Sequence, residues 1–414
     1  MTIDLITNYL SILILGISGI GINLFIGIKY DSEVLGSFNQ VLASYIVFSM
    51  IGSGGINFST LKFVAENNSK PQVINEIVMG AMIPTVILSF FCSLIYKLSI
   101  PFFSTILKSD LVAIGMRYII PGLFFFCINK VLLSGFVNGQ ERMKYLAFYQ
   151  SLRYIFLFSF LTFLISISIN GALLPIIFSL TESLLFLILL IDLNNHASLL
   201  KAQKYFKWIK IHLQYGFKCI VSGIFIELNT KVDVLMIGFF LSDEFVGIYS
   251  FAALFSEGFY QIIIILQNFY NPLFARLVSN NKLRTLKKIT NEGQKKIIPI
   301  TFFLGIITII FFRWLINQNI FDDKYNESLL PFIILIFGIL FSSGYIPFLN
   351  VLSMSNMPFW NSILIFFTVI ANIIFNYLFI PFFGIKGAAI GTSLSLIFSI
   401  YFLKILCKRL IGFI

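Results

Sequence analysis

The chain has 414 residues, 58% of them hydrophobic and 11% charged, with a mean hydropathy of +0.94. Soluble domains carry about 25% charged residues, so the bilayer is the solvent for most of this surface, and a soluble enzyme or a soluble nucleic-acid-binding module is excluded. The net charge of +11 fits a positive-inside membrane protein attracted to anionic lipid.

A spanning helix takes about 20 apolar residues. Twelve such runs are predicted, at 9–28, 40–64, 74–96, 112–137, 145–168, 172–193, 216–240, 246–270, 297–316, 330–353, 359–382 and 386–406. They are continuously apolar and lack the alternation of barrel strands, which leaves helices as the spanning element. The first run follows Asp4 with no preceding Lys or Arg and is too long for a cleaved signal, so it is expected to stay as the first helix.

The chain also repeats itself. Ile26 to Phe38 reads IGIKYDSEVLGSF and Ile237 to Tyr249 reads IGFFLSDEFVGIY, which superposes Glu33 on Glu244, Gly36 on Gly247 and Phe38 on Tyr249. Ile169-Asn170-Gly171-Ala172 matches Ile385-Lys386-Gly387-Ala388 at a similar shift of about half the chain. The expected fold class is an all-α membrane protein, with twelve transmembrane helices in two pseudo-symmetric six-helix lobes. The expected lobes are 1–193 and 216–414, with a basic cytoplasmic linker at 194–215.

Loop charge predicts the orientation. With both termini cytoplasmic, most lysines and arginines fall inside, among them Lys201, Lys204, Lys207, Lys210, Lys287, Lys288, Lys295 and Lys296. The acidic turns at Asp31/Glu33, Asp243/Glu244 and Asp322/Asp323 then fall outside. Two inner segments, 199–213 and 274–296, are amphipathic; each reads either as a helix in the headgroup plane or as a topology anchor and linker. His196 and His212 lie in the first of these loops' surroundings and read as solvated. Pro84, Pro121, Pro175, Pro299 and Pro347 fall inside predicted spans, and Ser342-Ser343-Gly344…Pro347 is the best hinge candidate. The four cysteines show no pairing or metal spacing.

Ionisable groups within spans are costly and are functional candidates by default. They are Arg117 and Lys130, Arg153, Glu182, then Lys218, Glu227, Lys231 and Asp233 on one span, and Glu257. Glu227 and Lys231 stand four apart in the favourable order for a local ion pair; a role in a wet cavity is the other reading. Asn372 and Asn376 share a helix face, and Gly387-Ala388-Ala389 with Thr392 opens the last span. Carboxylate, amide, hydroxyl and backbone oxygens suit a small alkali cation, and interhelical amide packing is the alternative.

These residues together resemble the Wzx-type O-antigen and polysaccharide flippases of the MOP superfamily, whose architecture is MATE-like. The resemblance rests on the duplicated turn, NGQER (Asn138 to Arg142) with Arg153 downstream, KVDVLMIGFF around Asp233, and NYLFIPFFGIKGAAIGT (Asn376 to Thr392). It implies alternating access and an undecaprenyl-diphosphate-linked oligosaccharide as substrate. It also implies a bacterial cytoplasmic (inner) membrane location, membrane lipid and other polysaccharide-assembly proteins as partners, and no nucleic acid. Arg117, Lys130, Arg153 and Lys231 would then form a cationic cavity, with Glu182, Glu227 and Glu257 as coupling or structural acids. The related lipid II flippases place a sodium site where Asp233, Asn372, Asn376, Ala388 and Thr392 stand, although they carry an acid at the position of Asn376. The coupling ion is accordingly Na+ or H+, with no other cofactor and no other metal. A MATE-like cation or drug antiporter and a membrane polysaccharide polymerase or ligase are the competing classes. The first would favour an acid-dominated cavity, and the second a large outer loop.

Overall fold

The computed structural model describes residues 16, 18–280, 282–318 and 320–412, and among them there is no strand. The helices in chain order are α1 (Ser18–Lys29), α2 (Ser32–Gly52), α3 (Ile56–Glu66), α4 (Pro71–Leu107), α5 (Asp110–Tyr118) and α6 (Ile120–Lys130), then α7 (Met143–Ser166), α8 (Ile176–His196), α9 (Tyr205–Phe240) and α10 (Asp243–Ile264). They continue with α11 (Gln267–Ser279), α12 (Leu283–Ile316), α13 (Leu329–Ser342), α14 (Val351–Met354), α15 (Pro358–Phe383) and α16 (Ile385–Leu410). A π-helical stretch, Val131–Val137, extends α6.

Ten helices among the described residues are long and apolar enough to cross a membrane, and they coincide with ten of the twelve predicted spans. The other two predictions fall on α1, whose span 9–28 lies partly outside the described residues, and on α9. Large apolar side chains face outward, with Phe341 at 76% and Phe382 at 81% exposure. In water such a surface would aggregate; in hydrocarbon it is the expected lipid contact.

Several boundaries differ from the sequence reading for identifiable reasons. The predicted helix 40–64 is two helices, because consecutive glycines, Gly54 and Gly55, take left-handed φ of 58° and 66°. Pro121, Pro175 and Pro347 sit at helix starts rather than inside helices, where a missing N–H costs nothing. The chain at Ser342–Pro347 does leave the helix, since α13 stops at Ser342 and a short 3-10 turn covers Ile346–Phe348.

The chain forms two compact units. The first comprises Met1–Tyr30 with Ser37–Glu227, and the second Asp31–Gly36 with Leu228–Ile414. The division therefore falls inside α9, later in the chain than 194–215, because the basic segment is the head of α9 and docks on the first unit. Lys204, Lys207 and Lys210 of that segment are exposed while Trp208 and His212 turn inward, the spacing of a helix with one buried stripe. Trp208 packs against Phe63 with ring centroids 5.4 Å apart. His212 is fully buried rather than solvated: Nδ1 lies 2.7 Å from Ser59 Oγ and Nε2 3.0 Å from the Ile77 carbonyl oxygen. The second amphipathic segment behaves alike, as α12 runs unbroken from Leu283 and buries Leu286 in the core of the second unit.

In the first unit the core is Val64, Ile77, Leu132, Phe136 and Leu185 with their neighbours, from α3, α4, the π stretch and α8. The break between α5 and α6 is repaired by α8. Ser179 Oγ accepts from Gly122 N at 3.0 Å and donates to the Tyr118 carbonyl at 2.6 Å, which occupies a backbone N–H and a carbonyl at the break between the two helices. In the second unit Phe251, Phe312, Tyr325 and Phe332 stack together, the Phe312–Phe332 centroids being 4.0 Å apart. There the duplicated glycines meet each other. A Cβ on Gly36 would overlap the Asp243 carbonyl oxygen, and one on Gly247 the Ser32 carbonyl oxygen.

Burial lowers the His212 pKa to about 4, so the unfolded chain takes up the proton first as pH falls. Stability contributed by the neutral ring is intact above about pH 6.5 and is lost between there and pH 4, by about 2 kcal/mol at pH 5. Detergent-solubilised protein should melt at a lower temperature at pH 5 than at pH 7.5, and His212→Asn should shrink that difference.

Candidate functional site

Each unit contains a cluster of buried polar groups that includes residues singled out by the sequence. In the second unit it lies where α9, α10, α15 and α16 meet. Asp233, on α9, receives Asn376 Nδ2 on Oδ1 at 2.7 Å, and Thr392 Oγ1 and Tyr249 OH on Oδ2 at 2.6 and 3.1 Å. Asn376 also donates to Asn372 Oδ1 at 2.8 Å, and Thr392 reaches the Ala388 carbonyl at 3.0 Å. All five residues that the sequence singled out on these helices, Asp233, Asn372, Asn376, Ala388 and Thr392, thus come together.

The cluster exists because α15 and α16 touch backbone to backbone. Gly387 and Gly391 are four apart on one face of α16, the small-residue spacing that lets membrane helices approach closely. A Cβ on Gly387 would overlap the Phe379 carbonyl oxygen, and one on Gly391 would stand 3.0 Å from Asn376 Oδ1. Tyr249 is the member that the sequence reading missed. It was legible in the repeat: its counterpart is Phe38, so the second copy alone carries a hydroxyl at this buried position.

The donor set fits a small alkali cation in one orientation of Asn376. As placed, its two amide hydrogens bridge Asp233 and Asn372, while its Oδ1 is buried without a partner. Rotating the amide by half a turn would set oxygen against oxygen, which is unfavourable unless a cation lies between them. In that orientation carboxylate, two amides, hydroxyl and carbonyl present five hard oxygens. The neutral Asn376 leaves the site one negative charge, Asp233, which a monovalent cation balances.

The cluster in the first unit is built from ion pairs. Arg153 Nε lies 2.7 Å from Glu182 Oε1, and a terminal guanidinium nitrogen donates to Oε2 at 3.1 Å. Asn129 Nδ2 donates to the same carboxylate at 2.8 Å and to the Glu182 backbone carbonyl at 2.9 Å. Lys130, on the next residue, stands 3.9 Å from Glu227 Oε1. The Phe126 ring lies under both cations, 4.9 Å from the Arg153 guanidinium and 5.8 Å from Lys130 Nζ. Four predicted residues, Lys130, Arg153, Glu182 and Glu227, therefore meet, with each cation beside an acid. Asn129 and Phe126 were not singled out; an amide beside a lysine in an apolar run was the available signal.

The remaining candidates stand apart. Arg117 is exposed at the end of α5, Glu257 is exposed on α10, and Lys231 is half-buried on α9. Arg142 of the NGQER stretch is structural. It forms a two-pronged pair with Asp192 at 2.5 and 2.8 Å and covers the Tyr145 ring at 4.5 Å, tying the loop before α7 to the end of α8. Among the described residues no group of His, Cys, Asp and Glu has the arrangement of a metal centre.

Residues 30–278 match the family described as polysaccharide biosynthesis protein. No curated protein matches. Among solved structures, the chain is similar to the lipid II flippase MurJ in an inward closed conformation, at 15% identity and a TM-score of 0.78, covering 99% of this chain and 88% of that one. It is also similar to an inward-facing multidrug resistance MATE family transporter of the MOP superfamily, at 12% identity and a TM-score of 0.76, covering 95% of each. The bent form of the Vibrio cholerae MATE transporter VcmN matches at 11% identity and a TM-score of 0.60, over 100% of this chain and 97% of that one. The chain is a multi-pass membrane protein with the fold of these transporters, and it belongs to the polysaccharide biosynthesis protein family.

Removing one member of a buried ion pair strands the other charge, at about 3–5 kcal/mol. Arg153→Ala should lower the melting temperature of the purified protein sharply, and Arg153→Met with Glu182→Leu should recover most of the loss.

Proposed function

We propose that this member of the polysaccharide biosynthesis family is a flippase, not an enzyme. It moves undecaprenyl-diphosphate-linked oligosaccharide repeat units from the inner to the outer leaflet of the bacterial cytoplasmic membrane by alternating access, with both chain termini cytoplasmic. The observation that carries the reading is the pair of cations over the Phe126 ring in an otherwise apolar bundle. Arg153 is paired with Glu182, whose carboxylate Asn129 also holds, and acts as a fixed source of positive potential. Lys130 is the exchangeable one. Its carboxylate partner is 3.9 Å away, a distance at which an incoming diphosphate can take the place of Glu227. A charge-assisted contact of this kind contributes about 1.5–3 kcal/mol. Arg117 and Lys231 stand outside this pair.

Asp233, Asn372, Asn376, Thr392 and the Ala388 carbonyl would hold the coupling ion. Sodium, or a proton, would supply the neutralisation of the Asp233 carboxylate. Thr392 and Tyr249 hold that carboxylate in place through Oδ2, and Asn376 presents either hydrogen or oxygen to it. The same cluster would serve a MATE-like antiporter, which differs in exporting organic cations rather than accumulating lipid-linked sugar when lost.

Deletion of the gene should leave undecaprenyl-linked repeat units on the cytoplasmic side; unchanged lipid-linked pools together with increased sensitivity to cationic drugs would favour the antiporter. Lys130→Gln should reduce flipping in proteoliposomes about 10–100-fold while leaving insertion intact, and wild-type rates in that variant would remove Lys130 from the site. If sodium is the coupling ion, transport should require it, and Asp233→Asn should abolish the requirement.

A further inference from the structure

The second unit contains a cavity of about 220 Å³ that no part of the mechanism above uses. Its polar lining is uncharged: Asn229, Gln267, Asn350, Asn361, Thr368 and Ser399. At about 30 Å³ per molecule it has room for about seven waters. Apolar cavities stay dry, but one lined by amides and hydroxyls holds water.

The position of this cavity in the fold is the informative feature. All four helices that build the Asp233 cluster also line it, α10 through Tyr260, and on each the lining residue lies toward the same end. On α9, Asn229 is one turn before Asp233. On α15, Thr368 is one turn before Asn372 and two before Asn376. On α16, which runs the opposite way from α15, Ser399 comes after Thr392. One turn is about 5.4 Å of rise, so the cavity lies next to the cluster along these helix axes. Asn229 lines the cavity, and its Oδ1 is buried without a protein hydrogen-bond partner. A buried amide oxygen left bare costs about 1–3 kcal/mol, which a small rotation of this amide toward a water in the cavity would relieve. At the far end Gln267 accepts from Asn350 Nδ2 at 2.8 Å and donates to the Ile346 carbonyl at 2.9 Å, which props the cavity where α13 has already ended.

We propose that this cavity is a hydrated vestibule within the second unit, through which water and a monovalent cation reach Asp233 from the side where α9 and α15 begin. Loop charge makes that side cytoplasmic. Asn229 and Thr368 are the positioning groups on the route, offering oxygens to a partly hydrated cation before it meets the carboxylate. The lack of charge in the lining suits passage, because a fixed acid there would trap the ion short of Asp233. The inference rests on the reading of Asp233 as the ion-carrying group.

The test uses the full chain in membrane vesicles of known orientation and reads labelling by peptide mass spectrometry. Thr368→Cys is nearly isosteric and supplies the reporter thiol; Val369→Cys, at a buried position outside the cavity lining, is the control. A membrane-impermeant trimethylammonium methanethiosulfonate applied from the cytoplasmic side should label Cys at 368 at least about tenfold faster than Cys at 369. Plugging position 368 in this way should then slow modification of Asp233 by a water-soluble carbodiimide by about tenfold. The proposal is overturned if position 368 is unreactive or reacts only from the outside. It is equally overturned if Asp233 is never modified, or is modified at the same rate with the plug in place. Sodium chloride against choline chloride separates the two readings: if sodium gives Asp233 no protection while the plug does, the vestibule stands and sodium is not the ion.

Discussion

A charged group in hydrocarbon must be answered locally, because no water is there to answer it, and this constraint governs both buried clusters of the molecule. The first unit answers charge with charge: Arg153 with Glu182, Lys130 with Glu227, and Arg142 with Asp192. The second unit answers Asp233 differently. Its hydrogen-bond partners are a phenol, an amide and a hydroxyl, all uncharged. Such donors hold a carboxylate in place without cancelling its charge. An acid treated in this way is suited to receive a positive charge that comes and goes, whereas an acid already married to an arginine is suited to stay as it is.

The means of building such sites is close backbone approach. Side-chain amides and hydroxyls are short, and they converge on one carboxylate only if their helices nearly touch. Gly387 and Gly391 bring α16 against α15, and the same small-residue logic lets the duplicated Gly36 and Gly247 pack against the Asp243 and Ser32 carbonyls. Where α5 gives way to α6, a neighbouring hydroxyl completes the backbone, that of Ser179. Phenylalanine and isoleucine fill the remaining surface without polar demands, which is why the composition is so lopsided.

The internal repeat makes the two halves comparable and their difference informative. Phe38 in the first copy corresponds to Tyr249 in the second, and the extra hydroxyl lands on Asp233. A single substitution at equivalent positions thus separates a copy with an apolar residue there from a copy that ligates an acid. Such asymmetry goes with a first-unit cluster of paired cations and a second-unit cluster with a single carboxylate.

Composition and run length alone determined that the chain is a helical membrane protein and located its spans, because lipid demands about 20 apolar residues per crossing whatever the neighbours are. The spacing of Asn372, Asn376, Gly387 and Thr392 and the isolated Asp233 were equally legible, since helical periodicity places them on definite faces. Pairing was not. Glu227 has Lys231 four residues away on its own helix, yet Lys130 of α6 stands beside it, and Arg142 of the same motif that introduces Arg153 turns out to anchor Asp192. The basic segment before residue 216 looked like a free linker, because its lysines were visible in the sequence while the pocket that buries His212 was not. Which partner a charge finds depends on which helices lie side by side, and that is decided by packing over distances that local sequence does not encode.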